Sequence, residues 1–140
     1  MTPPDPPLTL PPNRWILGVY GLGLGPAILL SALYAGLRYA PPVWGGWALG
    51  WTVAAAGAAA GLLIKISAVG GDLTRFLIWG LLINGGRAGF FLLIIVAANR
   101  SDMAGFRPFV VAVFSGYFTS MICEIAILHA MTIGGTNEHE

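Results

Sequence analysis

Four apolar runs set the strongest constraint on what this chain can fold into. They occupy roughly residues 15–37, 46–64, 73–98 and 108–131, and a transmembrane helix needs about 20 apolar residues. Helices satisfy their own backbone hydrogen bonds in lipid, and the runs lack the alternation that is typical of membrane-barrel strands. The sequence therefore predicts an all-α fold, an integral-membrane four-helix bundle with both termini on the same side.

Composition excludes the main alternative, a water-soluble domain. Only 9% of the 140 residues are charged and 56% are hydrophobic, whereas soluble domains carry about 25% charged residues. The net charge of +1, without a basic or acidic block, argues against a nucleic-acid partner. Cys123 is the single cysteine, so it has no disulfide partner in the chain and is expected to be a small buried apolar residue.

Proline and polar residues delimit one domain and two tails. Residues 1–13 are predicted to be a proline-rich flexible tail, residues 14–133 a single four-helix transmembrane domain, and residues 134–140 a polar C-terminal tail. Asp72 is expected to cap the third helix. A cleaved signal peptide is the alternative for the first run, but the run is long for one and no A-x-A site follows it.

Flanking positive charges do not choose an orientation in the membrane. The positive-inside rule compares Lys and Arg residues in the short segments beside the spans. Three such residues fall on each side: Arg14, Lys65 and Arg75 on the side of the termini, and Arg38, Arg100 and Arg107 on the other.

Small residues line the second run at i, i+4 spacing, which lets helix backbones approach each other in lipid. Two alternatives stay open for them: they hold the chain's own helices together, or they dock a transmembrane helix of a partner. The candidate partner-binding residues on this run are Gly46, Gly50, Gly57 and Gly61. Smaller sets are Gly18, Gly21 and Gly25 in the first run, and Gly116 and Ser120 in the fourth.

The third run carries an arginine in the segment "LLINGGRAGFFLLIIV", residues 81–96. A charge at the centre of a bilayer costs at least about 2.5–3.5 kcal/mol, so Arg87 is expected to face the interior and find a partner. Glu124 is the only acidic residue in any run. In antiparallel helices the two side chains lean toward each other, because each points to its own N-terminus. Asn84, one turn before Arg87, is expected to share the hydrogen bonding.

Three roles remain open for Arg87. It forms an internal clasp with Glu124, it engages a carboxylate on another protein or on lipid, or it belongs to a proton or ion route with Asn84, Glu124 and His129. Neighbouring glycines are expected to thin the helix and let a neighbour come close: Gly85, Gly86 and Gly89. No nucleophile–base pair and no cluster of metal ligands is visible, so no enzyme, cofactor or metal site is predicted.

Three segments resemble the ATP synthase protein I family, which comprises small four-span proteins associated with the rotary ATP synthase. They are "GGWALGWTVAAAGAAAGLLIK", "FLIWGLLINGGRAGFFLLIIVAA" and "FRPFVVAVFSGYFTSMICEIAIL". Arg87 would occupy the place of the family's basic residue in the third span. The family often has an acidic residue just before it and a charged tail; this chain has Asn84-Gly85-Gly86 and a proline-rich tail.

The resemblance implies a non-enzymatic accessory factor of the inner or plasma membrane. Such a factor helps to assemble the ring of proteolipid subunits, each of which bears a carboxylate within the membrane. Its partners would be transmembrane helices of that complex and the bilayer itself. The alternatives are a permanent small structural subunit of a larger membrane complex and a small ion carrier. A carrier predicts an internal repeat, and the two halves of the chain show none.

Overall fold

The computed structural model describes residues 12–39, 44–67 and 73–134. These residues form four α-helices and no strand: α1 (Asn13–Arg38), α2 (Trp44–Ser67), α3 (Leu73–Arg100) and α4 (Phe106–Gly134). Each helix is long and apolar enough to cross a membrane. The predicted four-helix membrane bundle is confirmed.

The helix ends differ slightly from the predicted limits. α1 already begins at Asn13, where the carbonyl of Pro12 accepts a hydrogen bond from the Trp15 N–H at 2.8 Å. The rest of the proline-rich tail, the C-terminal tail beyond residue 134 and the predicted cap Asp72 lie outside the described residues. α3 and α4 are joined by a tight turn in which Asp102 (φ 47°) and Gly105 (φ 80°) adopt the left-handed conformation.

The bundle is built around α4, which packs most extensively against α2 and then against α1. α1 is antiparallel to α4, since Ile16 near its start packs against Ile127 near the end of α4. α3 makes fewer contacts, with α2 and with α4. Successive helices alternate in direction, so residues 12 and 134 lie on the same side of the bundle.

Glycines bring α2 and α4 into direct backbone contact, and these two helices run parallel. A Cβ atom on Gly46 would collide with the backbone of Gly105, and one on Gly50 would lie 2.5 Å from the Phe109 carbonyl oxygen. One further turn along, Gly116 of α4 faces α2 and leaves no room for a side chain. In the absence of a hydrophobic force between helices in lipid, this close approach provides the packing contacts.

α3 is anchored along its second half. Phe91 is 4% exposed and forms a buried cluster with Phe109 and Val113 of α4. Ile94, Ile95 and Ala98 of α3 pack against the same cluster. On the α2 side, a Cβ on Gly57 would lie 2.6 Å from the Phe91 ring, so the absence of a side chain at Gly57 makes room for that ring.

The three α1 glycines that the sequence pattern predicts as a packing set do not contact another described helix. Gly18, Gly21 and Gly25 have no neighbour within 4 Å of a Cβ position, so these glycines do not pack against another described helix of this chain. The contact is made instead by Gly23, where a Cβ would lie 2.6 Å from the Cys123 Sγ atom of α4. Cys123 is buried, as expected.

At the other end of the bundle, two tryptophans of α2 are bonded to one serine of α1. The indole N–H groups of Trp47 and Trp51 donate to the Ser31 Oγ atom at 3.1 and 3.0 Å. The Ser31 hydroxyl in turn donates to the Ile28 carbonyl at 3.0 Å. These bonds satisfy polar groups in an apolar setting and fix α1 against α2.

Candidate functional site

The Glu124 carboxylate of α4 is shared by two cations. The Arg87 Nη1 atom of α3 donates to Glu124 Oε1 at 2.5 Å, and the Lys65 Nζ atom of α2 donates to Oε2. Arg87 and Glu124 are each only 7% exposed. Of the three roles left open for Arg87, the internal pairing with Glu124 is the one that this structure contains, and the guanidinium points into the bundle. We call Lys65, Arg87 and Glu124 the ion cluster.

Lys65 is the member of the ion cluster that the sequence did not predict. The prediction placed it at the membrane surface, as the basic end of the second span. α2 extends to Ser67, and the Lys65 side chain turns inward until only 14% of it is exposed. The sequence did contain one indication of this position. Lys65 follows Gly61 by four residues, so the two lie on the same face of α2, the face that the small residues predict to contact another helix.

Two α4 residues complete the surroundings of the guanidinium. Arg87 Nη2 donates to the Ser120 Oγ atom at 2.6 Å, and the Ser120 hydroxyl donates to the Tyr117 carbonyl at 2.9 Å. The guanidinium carbon lies 5.5 Å from the centroid of the Tyr117 ring, within range of a cation–π interaction. The sequence predicts only a packing role for Ser120, whereas in the structure its Oγ atom also accepts a hydrogen bond from Arg87.

Asn84 belongs to the same group of residues through a different partner from the predicted one. Its Oδ1 atom accepts a hydrogen bond from Lys65 Nζ at 3.5 Å, at the limit of such contacts. The expectation that Asn84 shares the hydrogen bonding of the site is met through Lys65, and no bond between its side chain and Arg87 is seen.

The glycine that makes room for Arg87 lies on α2 and not on α3. A Cβ on Gly61 would lie 3.0 Å from Arg87 Nη1 and 3.2 Å from its Cδ atom. The three α3 glycines beside Arg87 have no neighbour within 4 Å of a Cβ position and are exposed: Gly85, Gly86 and Gly89. No described helix of this chain approaches them, so the close neighbour that they would admit stays a prediction.

The four α2 glycines proposed for partner binding all face the chain's own helices. Gly46 meets Gly105 in the turn before α4, Gly50 meets α4, and Gly57 and Gly61 meet α3. Gly46, Gly50 and Gly61 are buried and Gly57 is partly buried. Of the two alternatives, internal packing describes their positions in this structure, where they present no open surface to another chain.

The ion cluster has an excess of positive charge. It contains two cations and one carboxylate, and the only other acidic residue within the described ranges is Asp102, in the turn after α3. The Arg87 Nε atom is buried without a hydrogen-bond partner, and so is the Tyr20 hydroxyl of α1. A buried charge without a matching opposite charge is unfavourable, so the cluster is chemically suited to receive a further anion.

Other site chemistry is not apparent in the described ranges, where no three His, Cys, Asp or Glu side chains lie close enough to hold a metal ion. No protein-family model matches the chain, and neither a curated protein nor a solved structure shows significant similarity to it. The ion cluster and the exposed helix surfaces are therefore the features of the described residues that bear on function.

Proposed function

We propose that this protein is a non-enzymatic accessory or assembly factor of the bacterial inner membrane that docks transmembrane helices of an energy-transducing complex. The rotary ATP synthase and its proteolipid ring are the candidate complex, because three segments of the chain resemble ATP synthase protein I. The observation that carries the proposal is the ion cluster, in which Lys65 and Arg87 share the single carboxylate of Glu124.

The charge balance of the ion cluster supports a carboxylate as the recognised group. A surplus cation among apolar helices is stabilised when an anion comes within contact distance. Lys65 is the more accessible of the two cations, and its flexible side chain can reorient to another acceptor. A carboxylate on a partner helix would then pair with Lys65, while Arg87 stays bonded to Glu124.

The exposed face of α3 is the proposed contact surface. Gly85, Gly86 and Gly89 present bare backbone to the lipid, and small residues of this kind permit close helix association. In the helix, Gly85 and Gly89 lie on the face opposite the inward-pointing Arg87 side chain, so docking on this face and the pairing of Lys65 with a carboxylate are two separate contacts. α3 also contacts the rest of the bundle less extensively than α4 does. The proposal therefore assigns docking to α3 instead of the covered glycines of α2.

The test measures recovery of assembled proteolipid ring in cells that produce Lys65→Met, Arg87→Gln or Gly86→Leu variants. We expect each substitution to lower ring recovery, because the first two change the charge of the ion cluster and the third blocks the α3 surface. Ala60→Leu is the matched control for Gly86→Leu, since Ala60 is exposed on α2. Membrane levels of every variant are measured in parallel, because Arg87→Gln also weakens the bundle itself.

Unchanged ring recovery with Lys65→Met and Gly86→Leu, at normal protein levels, would refute the proposal. A permanent structural subunit is the second candidate, since the same exposed α3 face would serve a lasting contact. The ratio of the protein to its complex after gentle detergent extraction separates the two. An assembly factor is recovered in less than stoichiometric amounts, and a subunit is recovered in a fixed ratio.

A further inference from the structure

An apolar groove of about 490 Å³ lies between α1 and α2, on the surface of α4. Its walls are mainly aliphatic, with small alanines on the α2 side that keep it open. Residues from α1 and α2 that line it include Leu17, Leu24, Ile28, Ala55, Ala58 and Leu62. Several of these side chains are exposed on the surface that faces lipid, so a hydrocarbon chain can enter from the side.

The length of the groove matches one leaflet of a bilayer. From Ile16 to Ile28 the lining of α1 extends over about 18 Å, at ~1.5 Å per residue. One leaflet contributes about 15 Å, half of the ~30 Å hydrocarbon core. A helix that crosses the whole membrane would leave half of its length outside this groove, whereas an acyl chain of one leaflet would fill it.

Positive charge lies at the end of the groove nearer the chain termini. Arg14 is exposed, forms no ion pair with any described residue, and shares a face of α1 with Leu17 three residues later. Lys65 follows the groove residue Leu62 by three positions on α2 and belongs to the ion cluster, with its surplus charge. Both walls of the groove therefore end near a cation, the exposed Arg14 on α1 and the inward-turned Lys65 on α2, at the end of the bundle that carries the chain termini.

We infer that this groove binds an anionic phospholipid, with one acyl chain along α1 and α2 and the phosphate at Arg14. The apolar walls hold the chain, the leaflet-length channel sets its depth, and the cation selects the headgroup. The surplus charge of the ion cluster adds to the attraction without a direct bond to Lys65. The inference does not rest on the proposed assembly function, since it concerns the α1–α2 side of the bundle and not the exposed face of α3.

Native mass spectrometry of the full-length protein in detergent provides the first test. Phosphatidylglycerol and phosphatidylcholine with identical acyl chains are offered in equal amounts. We expect one phosphatidylglycerol to be retained in preference. Ala55→Leu should abolish this retention by filling the groove, whereas Ala60→Leu, which adds the same volume to an exposed position outside the groove, should not.

The headgroup contact is tested with a second matched pair. Arg14→Gln should lower phosphatidylglycerol binding about fivefold, the factor equivalent to about 1 kcal/mol for one basic residue at an anionic surface. Arg38→Gln, which removes an exposed cation at the other end of α1, should leave it unchanged. A phospholipid with a photoreactive acyl chain should label α1 and α2. Equal retention of the two lipids, equal effects within either pair, or labelling confined to α3 would overturn the inference.

Discussion

The α2–α4 contact and the attachment of α3 hold helices together in different ways. Between α2 and α4, the backbones touch at Gly46 and Gly50, and many small contacts add up along the helix pair. Only 11% of the apolar span of α3 is buried, compared with 39% for α4. α3 depends on one aromatic cluster at Phe91 and on the ion cluster at Arg87.

The difference shows how a membrane protein fixes a helix that has few packing contacts. Lipid tails are as apolar as leucine side chains, so burial alone does not draw α3 to its neighbours. An ion pair in a medium of low dielectric is directional and strong, and it is satisfied in only one register. The two halves of the bundle should therefore respond differently to substitution.

The largest effect is expected where the ion cluster loses its only anion. Glu124→Leu leaves Lys65 and Arg87 buried without a counter-charge, and breaking a buried pair in this way lowers the free energy of unfolding by about 3–5 kcal/mol. Unfolding in mixed micelles with increasing dodecyl sulfate measures the loss. A triple variant, Lys65→Met, Arg87→Leu and Glu124→Leu, should recover much of it, since apolar replacements of buried ion networks are often neutral.

If Glu124→Leu were as stable as the wild-type protein, the ion cluster would not hold α3. If the triple variant were no more stable than Glu124→Leu, the loss would reflect local packing and not unpaired charge.

A smaller effect is expected at the α2–α4 contact. Gly50→Ala places a methyl group 2.5 Å from the Phe109 carbonyl oxygen and 2.8 Å from the Ala112 Cβ atom, and overpacking of this kind destabilises by about 1–3 kcal/mol. The control is Gly86→Ala on the open face of α3, where the added methyl meets nothing. It should be neutral or stabilise by up to about 1 kcal/mol, because alanine favours a helix interior over glycine. The same unfolding assay compares them, and effects of the same sign at both positions would contradict the assigned contacts.

The smallest effect is expected when the surplus cation is removed. Lys65→Met leaves Arg87 and Glu124 as a balanced pair with no charge left unpaired, so the free energy of unfolding should fall by much less than the ~3–5 kcal/mol expected for loss of the anion. Arg38→Met, which removes an exposed cation outside the ion cluster, is the control for a general charge effect. A loss as large as that of Glu124→Leu would show that Lys65 is needed to hold the carboxylate in place.

The four helices could be predicted from the sequence, and Arg87 and Glu124 could be identified as candidates for a pair. Hydropathy along the chain is a local property, so the four spans could be predicted with ends close to those observed. Glu124 is the only acid in any span, and the alternation of direction brings it near Arg87. With one acidic residue in the four spans and helices that alternate in direction, Glu124 was the main internal candidate to pair with Arg87.

The rotation of each helix about its own axis, which decides the side that faces the bundle, could not be predicted from the sequence. Apolar residues surround every span, so a helix in lipid has no strong polar face to show which side points inward. For this reason Gly23 could not be distinguished from Gly18 or Gly25, and the sequence did not show whether Gly85, Gly86 and Gly89 face the bundle or the lipid. The inward turn of Lys65 depends on Glu124 lying beside it, which is a property of the assembled bundle and not of α2 alone.

The position of the ion cluster along α3 has a mechanical consequence. On the C-terminal side of Arg87, α3 packs against α4 through the buried cluster of Phe91, Phe109 and Val113, and it ends at the tight turn of residues 101–105. On the N-terminal side of Arg87, the side chains from residue 77 to residue 82 are largely exposed. Arg87 therefore separates a well-packed C-terminal half of α3 from an N-terminal half that has few contacts. A change in the bond between Arg87 and Glu124 would mainly move the N-terminal half of α3 away from the bundle. This movement would widen the protein near the chain termini and leave the opposite end unchanged.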